Sequence, residues 1–145
     1  MTLSVEIARE SSPELLVALN HLVPQLSSSA PALTMSELDR LITSSASTLF
    51  VALSDGAYVG TLTLVTFVIP SGRRAWIEDV VVDEAARGLG VGEALTTSAI
   101  AEARRRGVRS IDLTSRPTRA AANALYRKMG FEQRVTNVYR FFIES

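Results

Sequence analysis

Between Arg87 and Gly92 the chain reads Arg-Gly-Leu-Gly-Val-Gly, directly after the run Val80-Val81-Val82-Asp83-Glu84-Ala85-Ala86 and directly before an alanine-rich stretch. Alternate residues without a Cβ let a loop turn several backbone N–H groups toward one point. Where such a loop opens a helix, the donors of the first turn lack partners inside the helix, and the dipole adds partial positive charge there. The guest this chemistry suits is a phosphate or pyrophosphate. Two kinds of phosphate loop are excluded by residue type. A P-loop requires Lys-Ser/Thr after its second glycine, whereas Gly92 is followed by Glu93 and Ala94. A dinucleotide fingerprint begun at Gly88 requires Gly or Ala where Glu93 stands, and the chain is too short for a full two-half sheet. What remains is Arg-x-x-Gly-x-Gly, a pattern that a plain helix-capping turn also produces.

The elements that must position this loop can be read from periodicity. A length of 145 residues and 47% apolar content suit one globular domain, burying about two-thirds of its unfolded surface. Net charge is zero, which provides no broad field for nucleic acid or an anionic membrane. Cysteine is absent and histidine occurs once, so disulfides, Cys-based zinc sites and a cysteine nucleophile are excluded and a His-rich metal site is disfavoured. No signal-like segment follows Met1 and no apolar run reaches the roughly 18 residues of a membrane span, so a cytoplasmic location is expected.

Leu3, Val5 and Ile7 alternate with polar residues as in a half-buried strand. Ser12-Pro13-Glu14 then starts a helix whose stripe is Leu15, Leu19, Leu22 and Leu26, with His21 pointing away into solvent. Residues 24–31 form the least structured stretch, and Thr34-Met35-Ser36-Glu37 gives a capping-box start for a short helix to about Ser44. Residues 48–53 and 58–69 read as strands joined by the Ser54-Asp55-Gly56-Ala57 turn, and the run from Trp76 feeds the glycine loop. Gly90 to Arg106 is a long helix ending in Arg104-Arg105-Arg106, read as a solvated, dipole-complementing end. A strand at 108–114, a helix at 118–129 and a last strand at 136–143 complete the order β-α-α-β-β-β-α-β-α-β. Hairpins mixed with βαβ units make this an α/β (α+β mixed) sheet in a single domain spanning residues 1–145.

A second motif adds specificity. Ala121-Ala122-Asn123-Ala124-Leu125-Tyr126-Arg127-Lys128-Met129-Gly130-Phe131 closely resembles the Ala-Asn-x-Leu-Tyr-x-Lys-x-Gly-Phe helix of GNAT N-acetyltransferases, and the Arg87 to Gly92 loop resembles their acetyl-CoA pyrophosphate loop. The two motifs stand in the family's order. Many relatives carry Asn seven residues before the tyrosine, where this chain has Arg119. The resemblance implies a splay between strands 4 and 5, with Val80, Val81 and Val82 offering backbone groups to pantetheine and one N–H to the thioester oxygen. It implies that Arg87, Gly88, Leu89, Gly90, Val91 and Gly92 hold the pyrophosphate of acetyl-CoA, the acetyl donor, and that Asn123 bonds the pantetheine or phosphate region. It implies Tyr126 as the acid for the leaving thiolate.

Acetyl transfer to a lysine-type amine, whose pKa is about 10.4, also needs a group to accept a proton. Glu78 is the candidate base: alternation groups it with Trp76, Val80 and Val82 among apolar neighbours, while its rival Asp79 groups with Ile77 and Val81. An amine anchor or an ordinary ion pair are the other readings of Glu78. The function implied is an acetyl-CoA-dependent N-acetyltransferase acting on a primary amine by direct attack in a ternary complex, without metal. An acyl-CoA-binding module without turnover is the alternative. The acceptor is a small molecule or peptide, bounded in the family by segments here at about Leu22 to Ser36 and Arg134 to Tyr139; Arg73, Arg74, Arg116 or Arg119 could meet a phosphate on it. Family members often dimerise, and the apolar last strand offers a homodimer interface.

Overall fold

The computed structural model describes residues 2–144, and the chain divides into two compact units, Met1–Thr114 and Ser115–Ser145. The first unit carries β1 (Leu3–Ile7), α1 (Pro13–Leu26), α2 (Met35–Thr43), β2 (Ser47–Ser54), β3 (Ala57–Ile69), β4 (Gly72–Val82), a 3-10 turn (Glu84–Ala86), α3 (Val91–Arg105) and β5 (Ile111–Asp112). The second carries α4 (Ala120–Lys128). The architecture is a mixed α/β fold with sheet order β1-β2-β3-β4-β5, antiparallel except for the parallel β4–β5 pair.

Local chemistry sets the helix starts. The Ser12 hydroxyl accepts from Leu15 N–H at 3.1 Å, with Pro13 in the first turn of α1. Thr34 and Glu37 form the complete capping box of α2, at 3.1 and 2.9 Å, which holds the Glu37 carboxyl below its ordinary range. The intervening 27–34 stretch is pinned where the Asn20 amide both accepts from Leu33 N–H (2.8 Å) and donates to its carbonyl (3.0 Å).

Register assigns the faces of the sheet. Leu49 and Val51 of β2 pack with Leu15 and Leu19 of α1 and Leu38 of α2. The other face meets α3 at Gly60, where an added Cβ would lie 2.9 Å from Val91 Cγ1 and 3.1 Å from Leu95 Cδ1. Only a residue without a side chain lets the first turn of α3 come this close to β3. Gly60→Val is therefore expected to cost about 1–3 kcal/mol by overpacking, read as a lowered denaturation midpoint in urea.

The arginine-rich end of α3 is more than a solvated terminus. Arg105 and Arg106 both donate to the buried Glu102 carboxylate, and Arg106 also reaches the Ser45 carbonyl at 3.1 Å. Hydrogen bonding from Arg105, reinforced by Arg106, outweighs burial and holds the Glu102 pKa down to about 2 from 4.5. A carboxylate lowered in the folded state contributes stability above its unfolded pKa and loses it as pH falls through the folded one. The Tm difference between wild type and Glu102→Gln is thus expected to be full above pH 4.5 and to close as pH falls toward about 2, measured by thermal melts across that window.

Two strands differ from the periodicity. Among the described residues, β5 covers only Ile111–Asp112 of the expected 108–114, and 136–143 form no strand. Alternation specifies which face a strand would bury; whether it forms depends on a partner edge, which its own sequence does not contain. No helix among the described residues is long and apolar enough to cross a membrane.

Candidate active site

In the first unit, β4 leads into the glycine loop and its pairing changes along its length. On one side it runs against β3 from Ile69↔Gly72 to Gly60↔Val82. On the other it pairs with β5 only at Ala75↔Ile111 and Trp76↔Asp112. Among the described residues no strand pairs with 77–82 on that side, which is the splay implied by the sequence resemblance.

A bulge sits in the unpaired part. Thr63 opposes Glu78 and Thr61 opposes Val81, so Asp79 and Val80 together face the single residue Leu62. Asp79 adopts φ 50°, a left-handed conformation that Asp tolerates better than most residues. The extra residue shifts the phase of the backbone groups. Ala75 N–H donates to Ser110 at 3.1 Å and the Arg73 carbonyl accepts from Arg109 at 3.0 Å, so odd-numbered residues turn toward β5 at this end. Past the bulge, Asp83 N–H donates to Val59 at 2.8 Å, which turns Val81 toward β3 and leaves Val80 and Val82 facing the open side.

The bulge also corrects the simple alternation. Trp76 and Glu78 oppose Val65 and Thr63, and Val81 opposes Thr61, so Val81, rather than Val82, shares their face. This is the face of Leu49 and Val51, under α1 and α2. Glu78 is exposed there, opposite the polar, half-buried Thr63, instead of being enclosed by apolar neighbours. Asp79 is exposed as well.

After Val82 the chain is fastened before it reaches the loop. The Asp83 carboxylate accepts from Ala85 N–H at 3.3 Å and lies 3.2 Å from His21 Nε2, and the Gln25 amide oxygen accepts from Glu84 N–H at 3.0 Å. The Ala85 N–H, then His21, holds the Asp83 carboxyl below its ordinary range. His21 is thus a tether between α1 and the entry to the loop, a role that helical periodicity alone cannot show because its partner is 62 residues away.

Gly88 and Gly90 have φ 80° and 81°, so both glycines are used where L side chains are strained. Gly90 is the N-cap of α3 and makes no side-chain capping bond, leaving the first-turn N–H groups of Val91 and Gly92 directed outward along the dipole. Arg87 and Leu89 are exposed beside them and Val91 is buried against the sheet. Val80, Val82 and the residues 87–92 are thereby brought to one end of the first unit. Two of the expected phosphate-binding arginines are committed elsewhere: Arg74 pairs with Asp112 at 3.0 Å and Arg73 donates to the Arg106 carbonyl at 2.7 Å.

In the second unit, Asn123 and Tyr126 lie one turn apart on α4. Tyr126 is only 9% exposed, its ring edge-on to Phe131 with centroids 5.6 Å apart. Burial raises its hydroxyl pKa above the ordinary phenol value, partly offset by the Arg119 charge. Asn123 Nδ2 donates to the Arg116 and Arg119 carbonyls, both at 2.9 Å. Those bonds use both amide hydrogens to fasten the turn before α4, so the atom left for a ligand is the acceptor Oδ1, which suits an amide N–H and not a phosphate.

A protein from Agrobacterium tumefaciens described as an acetyltransferase is 30% identical, with a TM-score of 0.80 over 98% of this chain and 99% of that one. A Bacillus halodurans protein described as a transcriptional regulator is 26% identical, with a TM-score of 0.79 over 96% of this chain and 100% of that one. An aminoglycoside acetyltransferase from an uncultured soil sample shares the fold at 21% identity, with a TM-score of 0.84 over 97% of each chain. Comparison with curated proteins gives no match. The sequence model of the acetyltransferase (GNAT) family matches residues 16–131, and the chain belongs to that family.

Proposed function

We propose that residues 1–145 act as one N-acetyltransferase domain, moving an acetyl group from acetyl-CoA to a primary amine by direct attack in a ternary complex. The observation that carries the reading is the end of β4–β5 pairing after Trp76, immediately before the bulge and the glycine loop. An extended pantetheine arm presents amide groups that can pair with a strand's bare side as a missing strand would. The phase past the bulge favours Val80 and Val82 for that pairing, one of them donating to the thioester oxygen as it becomes an oxyanion. Arg87 to Gly92 seat the pyrophosphate, with Gly88 and Gly90 bringing backbone close and the α3 terminus supplying donors.

Glu78 accepts the proton of the incoming amine, directly or through water. Its exposure and its place on the α1 and α2 face, the side expected to receive the acceptor, support this role. The amine nitrogen then forms the new C–N bond, the tetrahedral intermediate collapses with loss of the C–S bond, and Tyr126 protonates the departing thiolate. Burial keeps that hydroxyl protonated at neutral pH, and family resemblance assigns it the role. Asn123 Oδ1 accepts from a pantetheine amide. With no cysteine and no serine placed as an activated nucleophile by the sequence, a direct transfer is the simpler path.

The test is release of free thiol from acetyl-CoA with a panel of amino sugars, polyamines, amino acids and peptides, alongside calorimetry with CoA. Binding of CoA and an acetyl mass gain on at least one amine is the expected outcome. Binding without thiol release across the panel would turn the assignment to an acyl-CoA-binding module, and no binding at millimolar CoA would end both.

A further inference from the structure

Where β1 and α3 both finish, at one end of the first unit, polar groups gather that acetyl transfer does not use. Arg9, Ser47, Thr48, Glu102, Arg105 and Arg106 line a cavity of about 260 Å³ there. Because Leu49 and Val51 face α1 and α2, Thr48 turns to the α3 side of β2, where Arg106 Nη1 also reaches Thr66 Oγ1 at 3.3 Å. Thr48 is only 4% exposed, yet its hydroxyl has no hydrogen-bond partner among the described residues. A buried hydroxyl in that state is uncommon, and it has a proton to donate. Its neighbours also donate. The Glu102 carboxylate is already engaged by Arg105 and Arg106, whose bonds leave N–H groups over on both guanidiniums. Arg9 is exposed, with no ion-pair partner among the described residues. Three guanidinium groups against one carboxylate leave the cavity two positive charges in excess.

Beside it lies a more apolar hollow of about 400 Å³, which shares Ile7, Arg9, Glu102 and Arg105 with the first and continues along Val5, Phe50 and Ala101. We propose that the joined cavities bind a small phosphate monoester, with its phosphate on Arg9, Arg105, Arg106 and the Thr48 hydroxyl and its organic group against Ile7, Phe50 and Ala101. Such a phosphate carries a charge of about −1.5 to −2 at neutral pH and three acceptor oxygens, which match the excess charge and the surplus donors. Guanidinium forks suit it geometrically. A carboxylate would leave one of the two charges unmatched. The glycine loop opens α3 and this cavity closes it, so roughly 20 Å of helix separates the site from the one proposed for acetyl-CoA. The two readings stand independently.

The test is calorimetry of the full chain with phenyl phosphate and with inorganic phosphate at about 0.15 M salt, where exposed charges are screened. One saturable site is expected, at least about 3-fold tighter for the ester and not displaced by CoA. Arg9→Gln is expected to raise the Kd for the ester about 10–100-fold, as loss of a charged hydrogen bond does, and Thr48→Val about 3–10-fold. Without ligand, Thr48→Val should melt no lower than wild type, because valine keeps the shape and removes a hydroxyl that bonds nothing in the protein. No saturation at millimolar ester overturns the proposal, as does equal affinity for ester and inorganic phosphate, displacement by CoA, or an unchanged Kd in both variants. A Thr48→Val chain that melts lower in the absence of ligand also overturns it, since the hydroxyl would then be bonded within the protein.

Discussion

Replacing Tyr126 by phenylalanine is expected to lower kcat by about 10²–10⁴-fold, the range for loss of a positioned acid, with KM for acetyl-CoA nearly unchanged. The ring would remain, with its edge-on contact to Phe131, so the folded state loses a hydroxyl and no packing. The donor's phosphates and pantetheine are assigned to other residues, which is why the loss should fall on turnover. Because burial raises the Tyr126 pKa, wild-type kcat should show no decline from this group until pH passes the ordinary phenol value of 10.0. Pre-steady-state thiol release and thermal melts on the same variant check both halves. A variant whose kcat stays within a few-fold of wild type would remove Tyr126 from the chemistry and leave it a buried aromatic.

Glu78→Gln is expected to reduce kcat/KM by a similar factor of about 10²–10⁴ at neutral pH, and the loss should shrink as pH rises. An acceptor amine with pKa about 10.4 is mostly protonated at pH 7; as pH climbs it loses its proton to solvent and needs the carboxylate less. The variant's rate should therefore rise with pH more steeply than the wild type's, which distinguishes a base from an amine anchor, whose removal raises KM without that slope. Asp79→Asn is the matched control. Asn tolerates the left-handed backbone at this bulge, so the change removes charge and leaves conformation. An equal, pH-dependent loss in Asp79→Asn and none in Glu78→Gln would transfer the role to Asp79.

What the sequence determined by itself is what depends on neighbours a few residues apart. The Ser12 cap, the Thr34 and Glu37 box, Leu15, Leu19 and Leu22 of the α1 stripe, and Gly88 and Gly90 at the α3 start are local chemistry, and each is found where the pattern placed it, whereas Leu26 at the end of the stripe is exposed. The Arg-x-x-Gly-x-Gly and Ala-Asn-x-Leu-Tyr patterns carried the family for the same reason: a loop or helix that meets a ligand through contiguous residues is written contiguously. The tertiary structure decided what depends on partners far along the chain. The bulge at Asp79 and Val80 exists only against Leu62, and it moved Val81 to the face of Glu78. His21 found Asp83, and Arg106 found Ser45, across about 60 residues of chain, which turned two side chains with solvated readings into tethers. Residues 136–143 keep the alternation of a strand without forming one, since periodicity fixes the faces of a strand but its hydrogen bonds belong to whichever edge it meets.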